Sequence, residues 1–448
     1  MLDAITSANT LVNSYVWGWP MIVLLIGTGL LLTILTGGVQ FRYLGFALRE
    51  VLGKINKKST AAGEVSPFQA VATALASTVG VGNIAGVATA ISIGGPGALF
   101  WLWVSGVLGM CTKFAEIVIA IHYRETDAAG QFRGGAMYVL RKGLGLPWLG
   151  TIFAGLVSLA AFGIGNMVQA NSVAASLHAS FGVSPGVSGV VLAVLTAAVI
   201  LGGIKRIGQV TEYLVPFMAL FYLGGGLVIL ARFASEIPGA ISLVLSSAFS
   251  GGAATGGFAG STVMLAMRYG IARGLFSNEA GLGSAPLVHA AARTDHPVRQ
   301  GLYGIFEVFV DTILVCTTTG LAILVTGVWS GGTTGAELAG QAFSTGLPGT
   351  WGNFVVTTSL VLFAYSTVIG WSYYGETAIV YLFGTKAALP YKLAWLVFIY
   401  LGAVGSLHLV WDIADTLNGL MAVPNLIAVL GSIALLKRLI REFFSTAR

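Results

Sequence analysis

Long apolar stretches separated by short polar loops place the strongest limit on how this chain can fold. A helix needs roughly 20 mainly apolar residues to cross a bilayer, and eleven stretches qualify: 17–37, 66–92, 97–121, 147–177, 187–204, 211–231, 240–268, 300–327, 352–384, 391–408 and 411–436. Only 9% of the 448 residues are charged, whereas soluble domains carry about 25%. The sequence therefore predicts an all-α integral membrane protein with eleven transmembrane helices in the lipid bilayer.

Basic residues are distributed unequally between the two sets of loops that such a chain would have. One set holds nearly all of them, at 42–58, 124–142, 205–206, 268–299, 386–392 and 437–448, and the other set holds Arg232. Lys and Arg are retained in cytoplasmic loops. The pattern predicts a multi-pass protein of the plasma membrane, with its N-terminus outside and its C-terminus in the cytoplasm.

The second stretch has polar and glycine residues at its centre, where residues 77–83 read STVGVGN. Each of the two glycines weakens a helix by about 1 kcal/mol relative to alanine. Unpaired backbone at mid-membrane is tolerated only inside protein or beside a water-filled cavity. A spanning helix that breaks beside polar side chains is typical of secondary transporters, which bind substrate and ion there. Close packing of small residues against a neighbouring helix is the alternative.

If the first stretch is set aside, the other ten divide into two groups of five. The first stretch of the second group also contains a glycine run, SGGAATGGFAGS at 250–261. Interrupted spans at corresponding positions of two halves indicate a binding site between inverted repeats. We therefore predict an N-terminal helix and linker at 1–60, a first repeat at 61–235, and a second repeat with a basic tail at 236–448. A duplicated bundle without transport is the alternative, but it would not need both breaks.

Motifs of other protein classes are absent from the sequence. No phosphate-binding GxxxxGK[ST] loop is present. Cys111 and Cys316 lie in apolar stretches and are typical of buried thiols, and the histidines form no cluster with metal-ligand spacing. No nucleophile–base set indicates an enzyme. We predict no metal other than a coupling ion, no cofactor, no nucleic-acid partner and no required protein partner. An ion channel would need a continuous polar lining, whereas the polar residues here cluster at mid-depth.

The two breaks offer groups that complement a zwitterionic amino acid. Free amides at the start of a half-helix suit a carboxylate, with Gly80 and Gly82 allowing close approach and Thr78 adding a hydroxyl. Oxygens of the second break, at Thr255 and Gly256, would accept hydrogen bonds from the ammonium group. Two further polar residues, Asn166 and Gln169, share a helix face at i and i+3 and bind either substrate or a neighbouring helix.

Hard oxygen atoms, which cations such as sodium prefer, are available near the first break. We predict a cation site from the carbonyls of Ala76 and Val79 and the hydroxyls of Ser366 and Thr367, with Asn83 serving a second ion. The alternative for the two hydroxyls is a bond to their own helix.

Embedded charged residues suggest further roles. Arg273 and Glu279 are predicted to pair and to close an inner gate. Glu307 and Asp311, one turn apart, are the candidates for carrying a proton.

Four segments resemble the alanine or glycine:cation symporter family: 67–70 (PFQA), 94–103 (GGPGALFWLW), 273–281 (RGLFSNEAG) and 370–376 (GWSYYGE). The likeness runs from about residue 15 to the C-terminus. Leu102 and Ala136 depart from the family pattern, which usually has methionine and proline there. The resemblance implies a LeuT-type core of ten helices preceded by one extra helix. It also implies uptake of small neutral amino acids such as alanine and glycine, driven by sodium or protons.

The resemblance also implies roles for two residues. It favours substrate contact for Gln169, and a pocket-closing role for Trp371 that limits the substrate to an alanine-sized side chain. A shorter likeness links residues 78–83 (TVGVGN) to the AVGLGN segment of bacterial neurotransmitter:sodium symporters, whose glycine amides hold the substrate carboxylate. Our prediction is a sodium-coupled symporter for alanine or glycine, with proton coupling as the alternative.

Overall fold

The structure is a computed structural model that describes residues 2–53, 55, 60–250, 263–405 and 408–446. Its N-terminal part consists of four helices: α1 (Leu2–Val16), α2 (Trp19–Leu35), α3 (Val39–Arg42) and α4 (Leu44–Leu52).

The next part of the chain alternates long helices with short connections. Its helices are α5 (Pro67–Thr78), α6 (Val87–Gly94), α7 (Ala98–His122), α8 (Ala136–Tyr138), α9 (Pro147–Ala160), α10 (Val168–Phe181), α11 (Pro185–Ile200) and α12 (Gly203–Arg232). An antiparallel ribbon of β1 (Glu125–Thr126) and β2 (Phe132–Arg133) follows α7, with Glu125 opposite Arg133.

The C-terminal half is also helical in its described residues. It contains α13 (Ile237–Ser250), α14 (Val263–Asn278), α15 (Pro286–His289), α16 (Pro297–Val308), α17 (Thr317–Val325), α18 (Gly335–Gly346), α19 (Trp351–Phe383), α20 (Ala388–Val404), α21 (His408–Leu420), α22 (Ala422–Gly431) and α23 (Ile433–Thr446). Wider π-helical turns occur at Gly82–Gly86, Val139–Gly143, Ala161–Met167 and Phe309–Cys316.

Helices long and apolar enough to cross a membrane dominate the part of the chain that the structure describes. Eight qualify there, at Thr6–Leu35, Ala98–His122, Pro147–Phe181, Gly203–Arg232, Pro297–Val325, Trp351–Phe383, Thr385–Val404 and Val410–Gly431. A bent pair makes a ninth if it is one span. Large apolar side chains on these helices face outward, for example Leu220 at 70% exposure, as lipid contact requires. The prediction of an all-α, multi-pass membrane protein is confirmed.

The bent pair is the predicted first break. Helix α5 begins with a capping box, in which Ser66 Oγ accepts a hydrogen bond from Gln69 N and Gln69 Oε1 accepts one from Ser66 N. The helix ends at Thr78 because Val79 is extended, at φ −75° and ψ 91°. The chain resumes at Gly82 with an axis bent by 52°. Low helix propensity at the two glycines explains why the break falls there.

A break that the sequence analysis did not predict lies between α14 and α15. The glycine run at 251–261, with Thr255 and Gly256, lies outside the described residues. Helix α14 continues past the predicted span end to Asn278, after which Glu279 (φ 55°), Gly281 (φ 94°) and Gly283 (φ 79°) turn the chain through left-handed conformations. Arg268 and Arg273 therefore belong to a helix and not to a basic loop.

The two broken helices run antiparallel to each other. A Cβ on Gly94 would lie 3.2 Å from the Cα of Ala266, and a Cβ on Gly82 would lie 3.2 Å from Phe276 Cδ1. At the other end, Glu64 N donates to Ala291 O at 2.9 Å. Both breaks consequently fall at the same depth in the molecule.

Backbone hydrogen bonds join the start of α5 to the chain that follows α15. Val65 and Ala292 form an isolated parallel β-bridge, and Arg293 N donates to Val65 O at 2.8 Å. The guanidinium of Arg124 donates to Ala290 O at 3.0 Å and to Ala292 O at 2.7 Å. These ends of the two broken helices are therefore fixed to each other.

Candidate functional site

A cavity of about 20 Å³ lies where the two breaks meet. Its lining is Ser77, Thr78, Gly80, Val81, Gly82, Ile164, Gln169, Phe276, Ser277, Glu279, Thr367 and Trp371. A single water needs roughly 10–15 Å³ by this kind of measure, so the cavity has room for little more than one water.

The lining unites residues that are far apart in the sequence. Seven of them were singled out beforehand: Thr78, Gly80, Gly82, Gln169, Glu279, Thr367 and Trp371. Sequence reasoning missed Ser77, Val81, Ile164, Phe276 and Ser277. For Phe276 and Ser277 the available signal was their position just before Glu279 and Gly281, within a resemblance motif.

The Gly80 amide is engaged within the first break. Gly80 N donates to Asn83 Oδ1 at 2.9 Å, and Asn83 N donates to Gly80 O at 3.2 Å. In a continuous helix, the amide of residue 80 would donate to Ala76 O. Because it bonds the Asn83 side chain, Ala76 O is available to another donor. Asn83 itself does not line the cavity, and its role at a second ion site stays a prediction.

Hydroxyls of α19 occupy the space beside this break. Ser366 Oγ donates to Ala76 O at 3.0 Å and also lies 2.8 Å from Phe363 O. Thr367 Oγ1 donates to Phe363 O at 2.9 Å, and a Cβ on Gly80 would lie 2.8 Å from it. Ser366 Oγ thus lies against Ala76 O and Thr367 Oγ1 lies beside Gly80, and uncharged oxygens of this kind suit a hard monovalent cation.

Replacing Thr367 by valine is expected to weaken cation binding more than substrate binding. The shape is retained while one oxygen is lost, and an unsatisfied buried polar interaction costs about 1–3 kcal/mol. The sodium concentration for half-maximal uptake should rise roughly tenfold, which a sodium titration of labelled alanine uptake measures.

Thr357→Val is the matched control, since Thr357 lies on the same helix and its Oγ1 bonds Ser180 Oγ. An unchanged half-saturation point in Thr367→Val would show that the cation binds elsewhere.

Gln169 and Asn166, for which the sequence left substrate and a neighbouring helix as alternative partners, have different environments. Asn166 Nδ2 donates to Trp395 O at 2.8 Å, so Asn166 joins α20 to the neighbouring π-helical turn. Gln169 Nε2 donates to Ile164 O at 3.0 Å, and Gln169 Oε1 has no hydrogen-bond partner among the described residues. The wide turn at Ala161–Met167 changes the rotation between the two residues.

Trp371 is fully buried and forms one wall of the cavity. Its Nε1 donates to Glu279 Oε1 at 3.0 Å, and Ser284 Oγ donates to the other carboxylate oxygen of Glu279. Gly165 is required behind the indole, since a Cβ there would lie 2.2 Å from Trp371 Cβ. The ring is therefore fixed by packing on one side and by Glu279 on the other.

The predicted gate pair of Arg273 and Glu279 is not formed in the described structure. Glu279 bonds Trp371 and Ser284, whereas Arg273 lines a neighbouring pocket of about 160 Å³ that also contains Asp415. Arg273 lies on α14, whereas Glu279 follows the end of that helix in a left-handed conformation, so the two side chains take different directions. Phe276 lines both the pocket and the cavity, so its ring separates them.

Asp311 is a buried carboxylate beside the first break. Asn83 Nδ2 donates to Asp311 Oδ1 at 2.6 Å, while Ser277 Oγ and Thr312 Oγ1 donate to Oδ2 at 2.9 Å and 2.8 Å. The structure shows no ion pair of Asp311 with a described cationic side chain. The carboxylate links both broken helices through Asn83 and Ser277.

Glu307, the other predicted proton carrier, is neutralised by a buried cation. Its Oε1 lies 3.1 Å from Lys113 Nζ, and its Oε2 lies 3.3 Å from His289 Nε2. Gln300 Nε2 lies 2.9 Å from the other ring nitrogen of His289. This cluster joins α7, α15 and α16, so its evident role is to hold these three helices together.

Comparison with known proteins assigns the chain to a family. A profile of the sodium:alanine symporter family matches residues 2–448. The chain belongs to this family. The sodium/alanine symporter AgcS of Methanococcus maripaludis is 52% identical over 437 residues, which cover 96% of this chain and 95% of the relative. The putative sodium/proton-dependent alanine carrier protein YrbD of Bacillus subtilis is 38% identical, with 93% and 88% covered.

Solved structures support the same fold at lower similarity. The structure of MhsT in complex with L-phenylalanine superposes with a TM-score of 0.56 and 12% identity, covering 86% of this chain and 99% of that chain. At this identity the likeness concerns the fold alone. The family match confirms the predicted family. The family and its named relatives also confirm the prediction of a symporter and not an enzyme.

Proposed function

We propose that this protein imports alanine, glycine or a similarly small neutral amino acid through the cavity between the two breaks. The observation that carries the proposal is the buried acceptor Gln169 Oε1, which faces a small cavity and has no hydrogen-bond partner among the described residues. A ligand with hydrogen-bond donors satisfies it, and an ammonium group has three. The name of the 52% identical relative, a sodium/alanine symporter, supports the same substrate.

The remaining walls define how such a substrate fits. The Glu279 carboxylate lines the cavity and has accepting capacity beyond its bonds to Trp371 and Ser284. Glu279 is therefore a candidate acceptor for the ammonium group. Thr255 and Gly256, which were predicted for the same role, lie outside the described residues. Thr78, whose hydroxyl bonds Ala74 O at 3.2 Å, and Gly82 remain the candidates for the carboxylate end. Trp371 and Phe276 line the cavity and would limit the substrate to a small side chain.

We assign the coupling ion to the oxygens at Ala76, Val79, Ser366 and Thr367. A sodium ion there would bind residues of both the first broken helix and α19 and would hold them together. None of the proposed oxygens belongs to a group that must change its protonation state. Its neighbour Gly80 lines the substrate cavity, so filling one site favours the other. The chain's own contribution is to supply uncharged oxygens in a water-poor site.

Sodium coupling predicts that labelled alanine accumulates in proteoliposomes when an inward sodium gradient is applied at equal pH. Replacing sodium by choline should reduce the initial rate at least tenfold, since both the driving gradient and the ion that occupies the proposed site are lost. Unlabelled glycine should compete, while leucine and phenylalanine should not. Undiminished uptake in choline would contradict sodium coupling.

Proton coupling is the second candidate, and Asp311 is the observation that favours it. The carboxylate is buried without a described cationic partner and bonds both broken helices through Asn83 and Ser277. Glu307 suits this role less well, because Lys113 already neutralises it. Uptake that persists in choline but follows an imposed pH gradient, and that is lost in Asp311→Asn, would favour protons.

The two antiparallel broken helices suit alternating access between two inverted repeats. We propose eleven spans: the N-terminal span, then α5–α6, α7, α9–α10, α11, α12, α14–α15, α16–α17, α19, α20 and α21–α22. The first repeat corresponds to 61–235 and the second to 236–448, after an N-terminal unit at 1–60. The basic residues of the other loops support an N-terminus outside and a C-terminus in the cytoplasm of a plasma-membrane protein.

A further inference from the structure

A second, larger cavity lies far from the substrate site. It measures about 1030 Å³ and is lined by Leu35, Thr36, Arg42, Tyr43, Phe46, Lys437, Ile440, Arg441, Phe444 and Ser445. These residues belong to the end of α2, to α3, α4 and their junction, and to the C-terminal α23. We call this cavity the basic groove.

The basic groove contains three cations and no acidic residue among its lining. Arg42, Lys437 and Arg441 form no ion pair with an acidic side chain anywhere in the described parts of the chain, although Arg438 on the same helix pairs with Glu442. Arg441 Nε does donate to Lys437 O at 3.4 Å. Three cations that converge on one space favour an anionic ligand.

The other wall of the basic groove is apolar and aromatic. The rings of Tyr43 and Phe444 stack with centroids 3.8 Å apart, and Leu35, Phe46 and Ile440 complete the wall. A ligand that fits both walls is anionic at one end and apolar at the other.

The position of the groove relative to the bilayer agrees with this chemistry. Helix α2 ends the first apolar span at Leu35. Around that end, Ile34 is 68% exposed, Phe41 64% and Leu52 58%, as expected for side chains that contact lipid. The groove therefore opens at the membrane surface, on the side that we propose is cytoplasmic, where anionic lipids concentrate.

We propose that the basic groove binds an anionic glycerophospholipid of the surrounding leaflet. The phosphate lies among Arg42, Lys437 and Arg441, and an acyl chain lies along Leu35, Phe46 and Ile440. A free phosphate ion would satisfy the cations but not the apolar wall. A second copy of this chain would bring its own α23, whose cations oppose those already present.

The test uses the full-length protein in detergent, titrated with dioleoyl phosphatidylglycerol and followed by native mass spectrometry and thermal unfolding. Dioleoyl phosphatidylcholine and glycerol 3-phosphate are the comparison arms. The groove variant is Arg42→Gln/Lys437→Gln/Arg441→Gln. The control variant, Lys205→Gln/Arg206→Gln/Lys386→Gln, removes three exposed cations that lie outside the basic groove. Unfolding temperatures in phosphatidylcholine verify that both variants fold.

Wild type and control should bind one phosphatidylglycerol and unfold at a higher temperature with it than with phosphatidylcholine. One cation near a lipid phosphate contributes roughly a fivefold factor in affinity, so the groove variant should bind about a hundredfold more weakly. Equal retention by groove and control variants would overturn the proposal. Equal effects of phosphatidylcholine or glycerol 3-phosphate, or a bound mass equal to a second chain, would overturn it as well. None of these outcomes depends on transport activity.

Discussion

Gly80→Ala is expected to abolish uptake of every substrate. The new Cβ would lie 2.8 Å from Thr367 Oγ1 and 3.8 Å from Gln169 Oε1, between the proposed ion and substrate sites. Overpacking and the loss of one oxygen ligand together cost about 3 kcal/mol or more, which lowers uptake at fixed concentrations by at least roughly a hundredfold. Labelled alanine and glycine uptake in proteoliposomes measures this loss.

Gly86→Ala is the matched control, because a Cβ there meets nothing closer than Arg273 Cδ at 3.9 Å. Both glycines belong to the same broken helix, so a general effect of added helix propensity would appear in both variants. Wild-type uptake by Gly80→Ala, with an unchanged sodium requirement, would contradict the proposed position of both sites.

Lys113→Met is expected to destabilise the protein by about 3–5 kcal/mol, because it leaves the Glu307 carboxylate buried without its cation. Lys113 Nζ and Glu307 Oε1 are 3.1 Å apart, and their side chains are 0% and 1% exposed. Unfolding in detergent, followed by the loss of monodisperse protein on heating, should occur at a markedly lower temperature.

The double variant Lys113→Met/Glu307→Gln tests whether the two charges are energetically coupled. Removing both charges should recover much of the stability, since no unpaired charge remains. A double variant as unstable as the sum of the two single variants would show that the ion pair has no energetic coupling.

The sequence predicted the first break because its signal is local. Two glycines, flanked by residues 77–78 and Asn83, disfavour a helix wherever the chain folds. The capping box of Ser66 and Gln69 likewise depends on neighbouring residues only. Hydropathy also located most spans, since it depends on composition over about 20 residues.

The break after α14 was not predicted because tertiary contacts determine it. The predicted glycine run at 251–261 lies outside the described residues, whereas the break after α14 contains Glu279 in a left-handed conformation. Its carboxylate is bonded by Trp371 and Ser284, and Trp371 is far away in the sequence. Propensity alone does not reveal such compensation. The short α15 was also too brief for a hydropathy signal.

Asn166 shows why a correct helix assignment did not give correct side-chain directions. The i, i+3 rule assumes an α-helix, but Asn166 lies inside a π-helical turn and Gln169 lies after it. The wide turn also leaves Ile164 O to accept from the Gln169 side chain. A single inserted residue thus decides which amide faces the cavity.

The hydrogen bonds that join Val65 to Ala292 and Arg293 have a consequence for the kinetics of the transport cycle. They hold the start of α5 to the chain after α15, and Arg124, which follows α7, donates to the same segment. A displacement of either half-helix would therefore carry the other with it. With ion and substrate at the proposed sites, this linkage would favour their release together and would suppress slippage, in which one leaves without the other.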